Sequence, residues 1–343
     1  MNPRLLQLAR ESRGLSQSKL ASLAGMSQAA LSKAENRLST LSRDRLAVIA
    51  DVLGYPESLF DWPDEPVGLG PSGYYHRKQS GLGKTALLRI EADIALLLMQ
   101  VRRLEASVEI DPPFRLPVLD IDEHEPEEAA AKVRASWLIP DGPVPDVIRA
   151  VERAGIVVVR RDMETHKISG LSVRPPSGIP VIILNTGMSP ARERFTVLHE
   201  LGHLVMHLIP SDDGEREADR FAAEFLMPAR LISPYLVGLN IQRAVQLKQY
   251  WKVSMAAIIR TAHRLGKIDD RKYKSLQVQM SQLGYRRDEP AEPLPENPRI
   301  LPDMIDLHRD DHGYSDRELA SVVGLHLPEF RAEFGVTRGL RAV

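Results

Sequence analysis

The chain has 343 residues, enough for two domains and a smaller region, and at 43% hydrophobic and 27% charged it reads as a folded chain, which excludes disorder and collagen-like structure. Lys+Arg at 45 against Asp+Glu at 46 leaves a net charge of −1, which excludes a wholesale basic coat for nucleic acid but not a local basic module. The absence of cysteine excludes disulfides, thiolate metal sites and a cysteine nucleophile.

Residues 1–60 carry short apolar-periodic segments separated by Gly14, Gly25 and Gly54. Leu20, Ala21, Ala30 and Leu31 supply the small and apolar contacts of two crossing helices, and Leu46, Ile49 and Leu53 supply a wider face behind them. Gly25 allows the left-handed backbone of a tight turn, and Ser27 is a helix N-cap. Two short helices joined by such a turn fit a helix-turn-helix, whose second helix enters the major groove of double-stranded DNA. The rival is a generic helical bundle. Charge favours the DNA reading: residues 1–55 hold eight Lys and Arg against four Asp and Glu, a net +4 that leaves −5 on the rest. A basic module on an acidic body suits contact with phosphates.

The segment from Leu15 to Gly54 resembles the helix-turn-helix of the phage-repressor-like (XRE) family. That resemblance implies that Gln28, Ala29 and Lys33 face base edges or nearby phosphates. It also implies backbone contacts from Gln17, Asn36 and Arg37, and a homodimer on DNA. A glutamine side chain can bind adenine bidentately.

Residues 61–154 read as a linker and a helical connecting region. The stretch 61–83 is rich in breakers. Residues 84–107 have helical periodicity over more than six turns. Their apolar face of Ile94, Leu97, Leu98, Val101 and Leu104 fits packing on the next domain and a dimer equally well. Its longest apolar run, residues 94–101, is far too short to span a membrane, and the start MNPRLLQLARESRG lacks the apolar stretch of a signal peptide. A cytoplasmic protein without a membrane partner is expected. The GLGK string at 81–84 lacks the spacing and the following Ser or Thr of a phosphate loop. Helices are expected at 126–137 and 145–154.

Residues 155–285 open with beta signals at 155–160, 168–173 and 180–185. They then turn helical, with candidates at 190–208, 215–227, 241–250, 254–265 and 269–283. The expected fold is an α+β core with a small sheet beside an active helix, the strand 180–184 presenting its edge. After a second Pro/acid break, RRDEPAEPLPENPR, residues 286–343 form a small helical C-terminal region in which Ser315 caps a helix and Glu318 completes the box.

The informative string is FTVLHELGHLVMH, residues 195–207. His199 and His203, four apart on a helix, emerge from one face and can share one Zn(II) ion. Glu200 projects about 100° round from His199, where it can act as general base. A third ligand is needed from the next helix, EREADRFAAEFLMP. Glu215 and Asp219 share a face there, which suits a ligand carboxylate and a second carboxylate holding the NδH of a ligand histidine. Glu217, on a different face, is the rival ligand, and Glu224 is less favoured. His207 reads as structural or as lining the cleft. His263 and Arg264 are candidates for stabilising an oxyanion, with a structural role the stronger reading for both.

Three ordered blocks then resemble the ImmA/IrrE family of zinc metallopeptidases over about 150–285. They are Asn185 after a strand, the Arg-x-x-Phe-Thr-x-x-His-Glu-x-Gly-His block from Arg192, and the Glu-x-x-Ala-Asp-x-Phe-Ala-Ala-x-x-x-Met-Pro block from Glu215. Asp219 stands where Asn is more usual. The resemblance implies a gluzincin-like site of two His and one Glu that cleaves a repressor-type protein, and a helix-turn-helix ahead of the peptidase domain also occurs in that family. The expected function is a DNA-binding regulator with zinc-dependent endopeptidase activity. The alternative is a regulator or antitoxin-like protein whose peptidase fold senses or docks a partner without turnover.

Overall fold

The N-terminal region is all helical because four polar side chains start its helices. Asn2, Ser16, Ser27 and Ser42 each accept a hydrogen bond from a backbone N–H two or three residues on. They open α1 (Pro3–Ser12), α2 (Gln17–Leu23), α3 (Gln28–Glu35) and α4 (Arg43–Leu53). A computed structural model of the chain describes residues 1–64, 66, 68 and 81–335. The rest of the breaker-rich stretch 61–83, and the end of the C-terminal region from 336, lie outside the described residues.

Helix α5 (Lys84–Glu105) joins the regions. Its 94–101 run is buried on every side, and all but Gln100 in it are apolar. It shares one core with Leu5 and Leu6 of α1, with one face of the sheet, and with the C-terminal helices. The sequence left its partner open; the partner is the helix-turn-helix region together with the sheet.

Helices α6 (Pro126–Ser136) and α7 (Val147–Glu152) precede a three-stranded sheet of β1 (Val157–Arg161), β2 (Gly170–Val173) and β3 (Val181–Asn185). Its order is β1-β3-β2, with β3 parallel to β1 and antiparallel to β2. Period-two alternation divides β3 between two cores, Val181 and Ile183 facing α5, Ile182 and Leu184 facing the helices that follow. The expectation that 180–184 offers an edge is therefore corrected. β3 lies between β1 and β2, which form the two margins, and each of its faces is buried in a different core.

The second core is covered by α8 (Pro190–Met206), α9 (Gly214–Leu226), α10 (Ile241–Trp251), α11 (Met255–Arg264) and α12 (Asp270–Gln282). The last helices, α13 (Ile300–Asp310), α14 (Asp316–Val322) and α15 (Leu327–Phe334), fold back on the first core. Ser315 and Glu318 form the reciprocal capping box at the start of α14.

The second Pro/acid break is a strap. Its prolines deny it regular structure, and its carboxylates reach helix starts and buried cations. Glu289 accepts from Met255 N–H at 2.8 Å and from buried Lys248 at 2.7 Å. Glu292 accepts from Ala191 N–H at the start of α8. Glu296 accepts from Val147 and Ile148 N–H and pairs with buried Arg194.

Candidate metal centre and nucleic-acid face

Helix α8 starts at Ser189, which accepts from Arg192 N–H ahead of Pro190. Its apolar residues Val197, Leu198, Leu201 and Val205 are buried. Two glycines let its neighbours approach. A Cβ at Gly170 on β2 would lie 2.8 Å from Thr196 Cγ2. One at Gly202 would lie 3.2 Å from Ala218 Cα of α9.

This close approach brings His199, His203 and Glu215 together. His199 Nε2 lies 3.2 Å from His203 Nε2 and 3.5 Å from Glu215 Oε2, and His203 Nε2 lies 3.3 Å from Glu215 Oε1. A tetrahedral zinc bound at roughly 2.0–2.1 Å sets its ligand atoms about 3.3–3.4 Å apart. Nitrogen and carboxylate donors at these spacings fit three corners of such a site.

Each histidine is held from behind. His199 Nδ1 lies 3.0 Å from Asp219 Oδ1, and Arg260 donates to Asp219 Oδ2 at 3.1 Å. His203 Nδ1 lies 2.9 Å from His207 Nδ1, and His207 Nε2 lies 3.0 Å from Glu217 Oε2. α8 ends at Met206, so His207 leaves the helical line and turns its ring to the back of His203. Glu217, the rival ligand by sequence, faces this relay and not the donor triangle. Glu224 accepts from Ala229 N–H in the turn after α9.

Glu200 is buried, and Ser172 Oγ on β2 donates to its Oε2 at 2.9 Å. Burial pushes the Glu200 carboxyl up to about 7 against the pull of His199 and the Ser172 hydroxyl. Burial lowers His203 to about 4. Burial also opposes a charge on His199, yet the hydrogen bonds to Asp219 and Glu215 prevail and raise it to about 10. Glu215 likewise resists burial, held well below the usual carboxylate range by its two histidines.

Some members of the site have no signature of their own. Ser172 is one serine in an apolar strand, and Arg260 sits 41 residues from Asp219. Asn185 was singled out in its block, and its role is now visible. Its amide donates to Thr165 O and Ile168 O and its Oδ1 accepts from Met163 N–H, tying down the loop before β2. His263 pairs with Asp270 and Arg264 with Glu127.

In the N-terminal region Gln28, Ala29, Lys33, Asn36 and Arg37 are exposed on or just after α3, and Gln17 is half-buried. Gln28 Nε2 donates to Gln17 Oε1 at 2.8 Å, and Gln17 Nε2 donates to Glu35 Oε2 at 2.7 Å. Glu35 takes a two-pronged pair from buried Arg10. Asn36 donates back to Ser32 O, closing the end of α3.

A family model described as the IrrE N-terminal-like domain, of the M78 peptidases, matches residues 151–263. One described as helix-turn-helix matches residues 6–60. The chain joins a helix-turn-helix to an IrrE-like peptidase-family domain. No curated protein matches it. The IrrE-like match covers the sheet, the donor triangle, Asp219 and α11 up to His263, so the cluster that could hold a metal ion lies inside a peptidase-family domain. Among the described residues no helix is long and apolar enough to cross a membrane.

Proposed function

We propose that the chain is a cytoplasmic transcriptional regulator that binds double-stranded DNA as a homodimer and cleaves a repressor-type protein at a zinc-dependent endopeptidase site. The observation that carries the reading is the donor triangle of His199, His203 and Glu215 beside the anchored carboxylate of Glu200. Zn(II) held there would supply Lewis acidity and lower the pKa of a water at its open position. Glu200 accepts a proton from the attacking water and returns it to the leaving amine nitrogen. Ser172 keeps that carboxylate in place. Asp219 and His207 hold the Nδ1 atoms of the two histidines, so that both present Nε2. An extended substrate adds as a strand along the outer side of β2. Gln28, Ala29 and Lys33 read DNA or its nearby phosphates, with Gln17, Asn36 and Arg37 on the backbone.

Co-expression with candidate repressors tests the reading. Partner cleavage with the wild type, and none with Glu200→Gln, is the expected result. Intact partners under every tested stress, together with specific DNA binding, would instead favour a regulator that senses or docks a partner without turnover.

A further inference from the structure

Beside the donor triangle runs a groove of about 570 Å³ between α8, α9 and α11. Five arginines line it: Arg192, Arg216, Arg220, Arg260 and Arg264. Asp219 is the one acid among the described lining residues, and both its oxygens are engaged, with His199 and Arg260. The floor is apolar, formed by Phe195, Ala223 and Ala257.

Two of the arginines show what the groove takes. Arg220 binds the carboxylates of Glu125 and Glu127, and Arg264 binds Glu127, all from the chain's own acidic segment DIDEHEPEE. The other three face solvent, although Arg216 pairs with the exposed Asp213 at 3.0 Å and Arg260 with Asp219 at 3.1 Å, surface pairs that a peptide carboxylate can displace. Arg216 and Arg260 have side chains 71% and 68% exposed. Arg192 is exposed and donates to the neutral Ser169 hydroxyl.

Spacing ties them to the metal centre. Arg192, Phe195 and His199 share one face of α8, so Phe195 lies one turn and Arg192 two turns before the first histidine. Two turns are about 11 Å, the length of roughly three extended residues. Arg216 directly follows Glu215. A peptide threaded past the donors would therefore meet guanidinium groups within its nearest few residues.

We propose that this groove selects extended peptide segments in which carboxylate side chains alternate with apolar ones close to the scissile bond. The apolar residues lie on Phe195 and Ala223, and the carboxylates pair with Arg192, Arg216 and Arg260. This rests on the peptidase reading above.

The test uses the full-length Glu200→Gln protein loaded with zinc, and two short labelled peptides, one alternating Glu with Leu and one alternating Lys with Leu. Fluorescence anisotropy is expected to show about tenfold tighter binding of the Glu peptide, a preference that shrinks as salt is raised. Adding Arg192→Glu and Arg216→Glu should invert the preference, and the gain of Lys-peptide binding is a result that a misfolded protein cannot give. Equal affinities, or a preference untouched by the double substitution, overturn the proposal. Wild-type protein separates the two readings. A Glu peptide bound with the expected preference and left intact supports the groove while the peptidase reading fails. Equal cleavage of both peptides keeps the peptidase reading and overturns this one.

Discussion

His199 and Glu200 are neighbours in sequence with separable tasks. His199→Ala removes one corner of the donor triangle, so stoichiometric zinc should be lost on dialysis; zinc retained as tightly as in the wild type sinks the assignment. Glu200→Gln leaves all three donors, so metal analysis should find zinc at the wild-type level while partner cleavage disappears. Behind the donors, His207 and Glu217 hold the ring of His203. Glu217→Ala should weaken zinc affinity about 10–100-fold, the usual effect of losing a partner that orients a ligand. A competitive chelator titration showing unchanged affinity would reduce the relay to packing. The DNA residues separate in the same way. Lys33→Ala should weaken binding to every duplex and lower the salt slope by about one. Gln28→Ala should cost about 1–3 kcal/mol at one base position and leave the others unchanged. A gel-shift series over single-base variants at several salt concentrations reads both, and loss of sequence preference by Lys33→Ala would contradict the division.

At the scale of elements, what was legible followed from periodicity and caps. The Ser27 cap of α3, the Ser315–Glu318 box of α14, the 3.6-residue pattern of α8 and the four-residue spacing of Glu215 and Asp219 are local, so sequence carries them. The centre of the sheet was not legible, because pairing order is non-local: the two-sided burial of β3 becomes evident only when β1 and β2 flank it. Ser172 and Arg260 escaped for the same reason, since each acts on a residue of another element, and His207, read as structural or cleft-lining, gains its relay to Glu217 only because the helix ends before it. The strap's composition told only part of its role. Proline and acid signalled a break between regions, whereas Glu296 satisfies two N–H groups of α7 and a buried guanidinium. Arg194 is fully buried, and burial brings it down to about 10. Removing the carboxylate leaves that cation without its partner, a loss of about 3–5 kcal/mol. Glu296→Ala should therefore lower the urea midpoint strongly, and Asp288→Ala, at an exposed strap position, should leave it nearly unchanged. Equal effects would mean that the strap is a passive connection.

Over the whole molecule, the helix-turn-helix region and the sheet share a core. Leu5 and Leu6 of α1, Leu97 of α5, Val181 of β3 and Phe330 of α15 belong to one buried cluster. Such continuity opposes independent unfolding of the helix-turn-helix, because separating it would expose the buried 94–101 run of α5. Zinc bound as proposed would then stabilise the helix-turn-helix too, since a ligand that binds only the folded chain stabilises everything that unfolds with it. The three tryptophans report this directly. Trp62 packs in the first core, and Trp137 and Trp251 in the second. Two variants, Trp62→Phe and the double Trp137→Phe, Trp251→Phe, leave reporters on one side only. Their thermal transitions, normalised to far-UV dichroism, are expected to coincide and to rise together on adding zinc. An early Trp62 transition that ignores zinc would show a tethered reader with its own stability, and events at the metal centre would then have no path through the core to DNA.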